Sequence, residues 1–351
     1  MNVHPASDPL RAPSLGLGLM GMSELYGPAD DAESVTTIQA ALDHGVRLFE
    51  TGDAYGMGHG ELLLRDALRG RRRESALISI RFGALREPGG GWTGSDSRPV
   101  AVKNALAYSL RRLGTDYIDV YRPGRPDPEV PIEETIGALG ELVKAGYIRG
   151  IGLSEVGADT LRRAHAVHPV TDVQIEYSLF SRGIEQEILL TARELGITVT
   201  AYGPLSRGLL SGHWSETRQR QLPPEDFRTA LPRFQGANLT HNLALVEALR
   251  RAATTYGVTV AQLAIAWVAA QGPDVIPLVG ARTRRQLAEA LGATAIDLDP
   301  GALTAAEQAV PLGAAAGERY MAPLLSLLDS ERPDNSGDRA PVPLHNPSHT
   351  A

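Results

Sequence analysis

The chain has no cysteine in its 351 residues, which excludes disulfides, thiol nucleophiles and thiolate-held metals. Lysine is nearly missing too: Lys103 and Lys144 are the two lysines among 34 basic residues, the rest being arginine. Any step that needs an ammonium group has only those two residues to draw on. No apolar run approaches the ~20 residues of a membrane-spanning helix, and the first residues lack a charged stretch followed by an apolar one. These features predict a cytosolic (cytoplasmic) protein with no membrane partner. Basic residues do not gather into a run interleaved with aromatics, and the net charge is −7, so no nucleic-acid partner is expected. The densest basic cluster, Arg71-Arg72-Arg73, reads as a solvated helix end.

What is present is an ordinary globular composition, 43% hydrophobic and 21% charged, sufficient for a large core. Short apolar, β-branched runs alternate with amphipathic stretches of helical period. The eight strand candidates are residues 14–19, 46–51, 76–81, 117–121, 148–153, 172–176, 198–202 and 275–279. Helical patterns lie at residues 33–43, 61–68, 100–113, 132–145, 159–167, 185–195, 242–256 and 284–291. Gly45, Gly146 and Gly196 follow three of these helices, placed to end each one in the left-handed conformation before the next strand. Repeated βα units predict an α/β fold, a single-domain (β/α)8 TIM barrel. Its expected span is 14–330, with an N-terminal extension at 1–13 and a disordered C-terminal tail at 331–351 that lacks periodicity. His345 and His349 in that tail sit in no helical pattern, and no metal site is expected. The carboxyl ends of barrel strands form the active face. The long segments 83–99 and 206–238 follow strands onto that face, and loops of such length in a compact domain are usually functional.

The stretch Leu48-Phe49-Glu50-Thr51-Gly52-Asp53-Ala54-Tyr55-Gly56 is similar to the signature F-D-T-A-D-x-Y-G. Ser109-Leu110-Arg111-Arg112-Leu113-Gly114-Thr115-Asp116-Tyr117-Ile118-Asp119 is similar to S-L-x-R-L-x-x-D-Y-I-D, and Gly150-Ile151-Gly152-Leu153-Ser154 to a G-x-S strand. Gly16 to Ser23, Tyr202 to Leu210 and Val279-Gly280-Ala281-Arg282 match further motifs in the same order. On these motifs the chain resembles the aldo-keto reductase superfamily, in a bacterial aldo/keto reductase branch, from about Leu15 to Leu328. The resemblance implies the barrel, NADP(H) as cofactor, and reduction of aldehydes or ketones on a small-molecule substrate. It also implies four catalytic residues. A tyrosine gives a proton to the carbonyl oxygen, a lysine beside it favours the phenolate, an aspartate holds the lysine, and a histidine orients the carbonyl.

Carried over position by position, the tyrosine matches Tyr55, the aspartate falls on Glu50, the lysine on Arg81 and the histidine on Gly124. The last assignment is anchored without gaps by Tyr117-Ile118-Asp119-Val120-Tyr121 before it and Asp127-Pro128-Glu129-Val130-Pro131 after it. Lys103 and Lys144 lie in helical patterns, which a barrel places on its outer ring, so neither replaces the lost lysine. Glu50 and Arg81 keep the charges of the pair, and the cation is expected to lower the Tyr55 pKa. Arginine cannot release a proton, so relay through this position is lost. Gly124 removes an oxyanion donor of a kind worth about 10²–10³ in rate, and it leaves space the size of an imidazole. His59, in the loop after Tyr55, is a candidate to point into that space.

For the cofactor, the resemblance assigns Ser154, Glu155 and Gln174 to the nicotinamide carboxamide and Tyr202 to its ring face. Gly18 and Met20 stand at the end of the first strand; Leu205, Arg207 and Gly208 approach the pyrophosphate. Gly280, Arg282, Gln286 and Glu289 hold the adenosine end, with Arg282, Arg284 or Arg285 available to a 2′-phosphate. Ala290 stands where the family usually has asparagine facing adenine. Tyr26 and Trp92 are further candidates for the substrate pocket. Three functions stay open on the sequence: a reductase with a modified tetrad, a repurposed enzyme catalysing dehydration, cyclisation or isomerisation, and a non-catalytic NADP(H)-binding protein.

Overall fold

The computed structural model describes residues 14–331 apart from Glu24 and Asp297. The expected extension at 1–13, and the expected tail beyond Glu331 with His345 and His349, lie outside the described residues. Among the described residues ten strands occur: β1 (Gly16–Gly18), β2 (Leu48–Gly52), β3 (Leu77–Phe82), β4 (Ala84–Arg86), β5 (Trp92–Ser95), β6 (Ile118–Pro123), β7 (Ile148–Ser154), β8 (Val170–Glu176), β9 (Thr198–Tyr202) and β10 (Val275–Gly280). Eight are parallel and close into a barrel in the order β1-β2-β3-β6-β7-β8-β9-β10, with β10 pairing back to β1. The remaining two, β4 and β5, form an antiparallel hairpin inside the segment expected to be irregular.

Each expected strand is present, most with ends moved by one or two residues. The glycines after the helices take the left-handed conformation, with φ of 83° at Gly45, 81° at Gly146 and 68° at Gly196. Helix Val260–Ala269 gave no periodic signal because it is buried on nearly every side, from Leu263 to Trp267 and Val268. Its start is set by a capping box between Thr259 and Gln262. Lys103 and Lys144 are exposed on the outer helices, where Lys103 pairs with Glu141 at 2.6 Å. No single helix among the described residues is long and apolar enough to cross a membrane.

Side chains alternate between the two faces of a strand, and this stacks the barrel interior in layers. Leu48, Leu77, Val120 and Ile276 form an apolar floor of their own, each contributing about 1.5–3 kcal/mol by burial. Two residues further along the strands come Glu50, Ser79 and Arg122, and one step beyond lie Arg81 and Gly124 at the mouth. Charge therefore rises along the barrel axis toward the carboxyl ends of the strands.

Candidate active site

Above the apolar floor, Arg122 on β6 and Asp172 on β8 form an ion pair with no solvent exposure on either side chain. Arg122 Nη2 donates to Ser79 Oγ at 2.6 Å, and Thr200 Oγ1 donates to Asp172 Oδ1 at 2.6 Å. Glu50 is 3% exposed. Burial pushes its carboxyl above the usual carboxylate range, and the charges of Arg81 and Arg122 offset this only in part. Glu50 Oε1 is buried with no hydrogen-bond partner. The expected Glu50–Arg81 pair is thus an interaction at a distance, without a contact.

Arg81 reaches Tyr55 instead. Its Nη1 donates to Tyr55 Oη at 2.8 Å and its Nη2 donates to the Gly124 carbonyl at 3.1 Å, while Nε is buried without a partner. Tyr55 lies in the turn after β2 and is 6% exposed. Burial raises its pKa well above that of an ordinary phenol, and Arg81 lowers it by less than burial raises it. The cation does lower the Tyr55 pKa, but the net shift is upward for a physical reason: leaving water penalises the phenolate more than the guanidinium beside it repays. A second guanidinium stands next to the first. Arg125 Nη1 donates to the same Gly124 carbonyl at 2.7 Å, and its Nη2 to Tyr320 Oη at 3.5 Å.

Sequence reasoning missed the C-terminal stretch from Arg319 to Glu331, which folds across the barrel mouth. Arg319, 8% exposed, donates through Nη2 to Glu155 Oε2 at 2.6 Å and through Nη1 to Glu155 Oε1 at 3.1 Å and Glu176 Oε2 at 3.3 Å. Ser330 Oγ donates to Glu155 Oε2 and Tyr202 Oη to Glu155 Oε1, each at 2.6 Å. Burial works against the Glu155 carboxylate, but the Arg319 guanidinium, with Arg125 and the Ser330 hydroxyl, outweighs it and holds the pKa below the usual range. Tyr320 Oη sits 3.0 Å from Tyr202 Oη, and the Arg207 guanidinium lies 4.5 Å over the Tyr320 ring. Burial raises the Tyr320 pKa, yet Arg207 and Arg125 bring it below the ordinary phenol value. Glu331, assigned to the tail on sequence, is tied in by Arg319 Nε at 2.7 Å.

The other candidates fall into two groups. Ser154 Oγ is buried without a partner and the Gln174 amide is buried with the Glu50 carboxylate as its one neighbouring hydrogen-bonding group, the two residues lying at the ends of neighbouring strands, and Gly18 pairs in register with Glu50 on the adjacent strand. Met20 begins the short helix Met20–Ser23 at the mouth and is half-buried. After Leu205, Ser206, Arg207 and Gly208 take positive φ of 44°, 56° and 107°, a turn that gathers backbone amides. The Arg207 side chain reaches Glu176 Oε2 and Tyr26 Oη, both at 3.5 Å. Gly280 ends β10, and the Arg282 backbone donates to Gln286 Oε1 at 2.8 Å. The Arg282 guanidinium is committed to the carbonyls of Tyr26, Gly27 and Pro28. Arg284 pairs with Glu33 at 2.9 Å and Glu289 lies 3.7 Å from His213. Arg285 is exposed, with no ion pair among the described residues.

Two candidates sit apart from the Gly124 space. His59 Nε2 is 3.1 Å from Asp31 Oδ2, so its ring is held by a neighbouring helix start. Trp92, 46% exposed on β5, stacks against Arg86 at 4.2 Å. Of the residues that were missed, Arg122 and Asp172 did carry a signal, as charges inside otherwise apolar strands. Arg319 and Tyr320 carried none, lying in a segment without periodicity.

Residues 14–310 match a family model described as the aldo/keto reductase family. A Glycine max protein described as probable aldo-keto reductase 1 is 40% identical over 307 residues, covering 87% of this chain and 88% of its own. Among solved structures, a glycerol dehydrogenase from Gluconobacter oxydans superposes with a TM-score of 0.77 at 30% identity, over 93% of this chain and 95% of that one. An aldo/keto reductase from Klebsiella pneumoniae, solved in complex with NADP and acetate, gives a TM-score of 0.66 at 26% identity, over 86% and 92% of the two chains.

Proposed function

Since this chain belongs to the aldo/keto reductase family, we propose that it is an NADP(H)-dependent oxidoreductase reducing a carbonyl on a small organic substrate, with Tyr55 as proton donor and Arg81 in place of the lysine. The observation that carries this is the direction of one hydrogen bond. Arg81 Nη1 donates to Tyr55 Oη at 2.8 Å, so the phenol's own proton stays free to be given away.

The residues present fit the cofactor at its nicotinamide end. Ser154 Oγ is buried without a partner and the Gln174 amide is buried with only the Glu50 carboxylate beside it, and together they offer the donors and acceptors that a carboxamide needs. The Klebsiella relative's complex with NADP supports the same choice of nucleotide. When bound, the reduced nicotinamide supplies the hydride. The protein's part is the proton: the Tyr55 O–H bond breaks as its proton goes to the carbonyl oxygen, and Arg81 stabilises the phenolate left behind. Tyr55 then regains a proton from solvent, because arginine does not release one. Gly124 offers no side-chain donor to the developing oxyanion, so turnover is expected to be about 10²–10³ slower than in a relative with histidine there.

The test has two stages on purified protein. Quenching of intrinsic fluorescence reports NADPH binding, and loss of the reduced-nicotinamide absorbance reports turnover across a panel of aldehydes, ketones and oxoacids. Binding with oxidation supports the reading. Binding with no oxidation by any carbonyl favours the repurposed enzyme, to which the missing histidine and the raised Tyr55 pKa both lend weight.

A further inference from the structure

We propose that the Nε–Nη2 edge of Arg81, with Arg125 beside it, holds a substrate carboxylate in the space opened by Gly124, so that the substrate is a short oxoacid. This rests on the oxidoreductase reading for the carbonyl step, but the binding itself does not. The mouth contains many arginines, and four of them are in contact with acids, three of these sharing Glu176. Arg122 pairs with Asp172, Arg319 with Glu155 and Glu176, and Arg207 and Arg233 with Glu176. Arg81 and Arg125 form no ion pair among the described residues, and both donate to the single carbonyl of Gly124. Buried cations are expected to have counter-charges, and here the nearest acids, Glu50 for Arg81 and Glu155 for Arg125, act at a distance without a contact.

Geometry says where the missing anion belongs. A β-carbon on Gly124 would stand 3.3 Å from the Phe82 carbonyl oxygen and 3.9 Å from both Nε and Nη2 of Arg81, so the position the glycine leaves free borders that edge of the guanidinium. Nε is buried and unpartnered. The Nε–Nη2 edge is a two-toothed donor that matches a planar carboxylate; the Gly124 carbonyl takes one Nη2 hydrogen, and the glycine puts no side chain against Nε. The opposite side of the same guanidinium holds Tyr55 Oη. A substrate spanning the two would place its carbonyl on Tyr55 and its carboxylate on Arg81, which sets them a few bonds apart. Reduction then converts the oxo group to a hydroxyl, with the carbon taking the hydride from NADPH and the oxygen taking the Tyr55 proton, while the carboxylate is unchanged.

The probes are benzoate, its neutral isostere benzamide, and inorganic phosphate, titrated calorimetrically into the full-length protein without nucleotide. Benzoate is expected to bind at least tenfold tighter than benzamide and tighter than phosphate. Arg81→Lys keeps the charge but loses the fork, and is expected to lose at least tenfold in benzoate affinity. Gly124→His keeps both arginines and fills the space, with the same expected loss. Circular dichroism and thermal melting establish that each variant is folded. Equal binding of benzoate and benzamide (including no binding of either), tighter binding of phosphate, or full retention of benzoate by folded Gly124→His overturns the proposal. Turnover is scored separately with phenylglyoxylate against acetophenone. Carboxylate binding without NADPH oxidation removes the reductase reading and leaves the clamp, whereas oxidation by acetophenone with no carboxylate preference removes the clamp and leaves the reductase.

Discussion

Replacing Arg319 by methionine should unlock the C-terminal segment from the barrel mouth. Its guanidinium makes two bonds to the fully buried Glu155 carboxylate and a third contact to Glu176. At an effective dielectric of ~20, charges about 4 Å apart attract by roughly 4 kcal/mol, and removing one partner of a buried pair typically costs about 3–5 kcal/mol. Tyr202 and Ser330 still donate to Glu155, so the variant is expected to fold with a loss of that size in urea unfolding at pH 7. The pH dependence separates this cause from simple loss of packing. In the native protein the Glu155 pKa is depressed, so its contribution is present above the unfolded value near ~4.3 and is lost as pH falls. In the variant, burial without the cation raises that pKa, and the penalty grows as pH climbs above ~4.3. The difference between the two proteins should therefore be largest at pH 7 and shrink toward pH 4. A loss below about 1 kcal/mol at pH 7, or one equal at both pH values, would refute the assignment of Arg319 as the lock.

Other residues give shorter tests. Burial raises the Asp53 pKa to about 6, above an unfolded value near ~3.9. Its favourable term is therefore complete below ~3.9 and lost as pH rises through the folded value. Asp53→Asn, which can still accept from the Gly83 amide, should flatten the stability profile across that window and gain up to roughly 3 kcal/mol at pH 8, measured by urea unfolding at several pH values. Tyr55→Phe should reduce NADPH oxidation by roughly 10²–10⁴ with nucleotide affinity kept, as steady-state kinetics and fluorescence quenching would show. Gly208 holds φ of 107° with no side chain closer than 3.5 Å to an added β-carbon. Gly208→Ala should therefore cost about 1–3 kcal/mol through strain alone, and weaken NADPH binding in the same titration.

The barrel was legible because its signals are local. Strand runs, helical periods and the glycines at 45, 146 and 196 each reflect the backbone conformation of a few residues. The positions of Tyr55, Glu50, Arg81 and Gly124 came from the family resemblance, carried over motif by motif. What did not follow was the balance of forces on them. Whether Arg81 would lower the Tyr55 pKa by more than burial raises it depended on how much water both groups lose, which is a tertiary quantity. Helix Val260–Ala269 was hidden because complete burial erases amphipathic period. The Arg319–Glu155 lock joins residues 164 apart in sequence, and no pattern within either segment announces it.

The central claim is the proposal that Tyr55 and Arg81 support hydride transfer to a carbonyl. Single-turnover mixing of the protein with NADPH carrying deuterium at the transferred position, in the presence of a short oxoacid, tests it most directly. The account predicts deuterium on the carbinol carbon of the product, at a rate that collapses in Tyr55→Phe. Bound NADPH that keeps its deuterium, or transfer at the same rate without the Tyr55 hydroxyl, would contradict it.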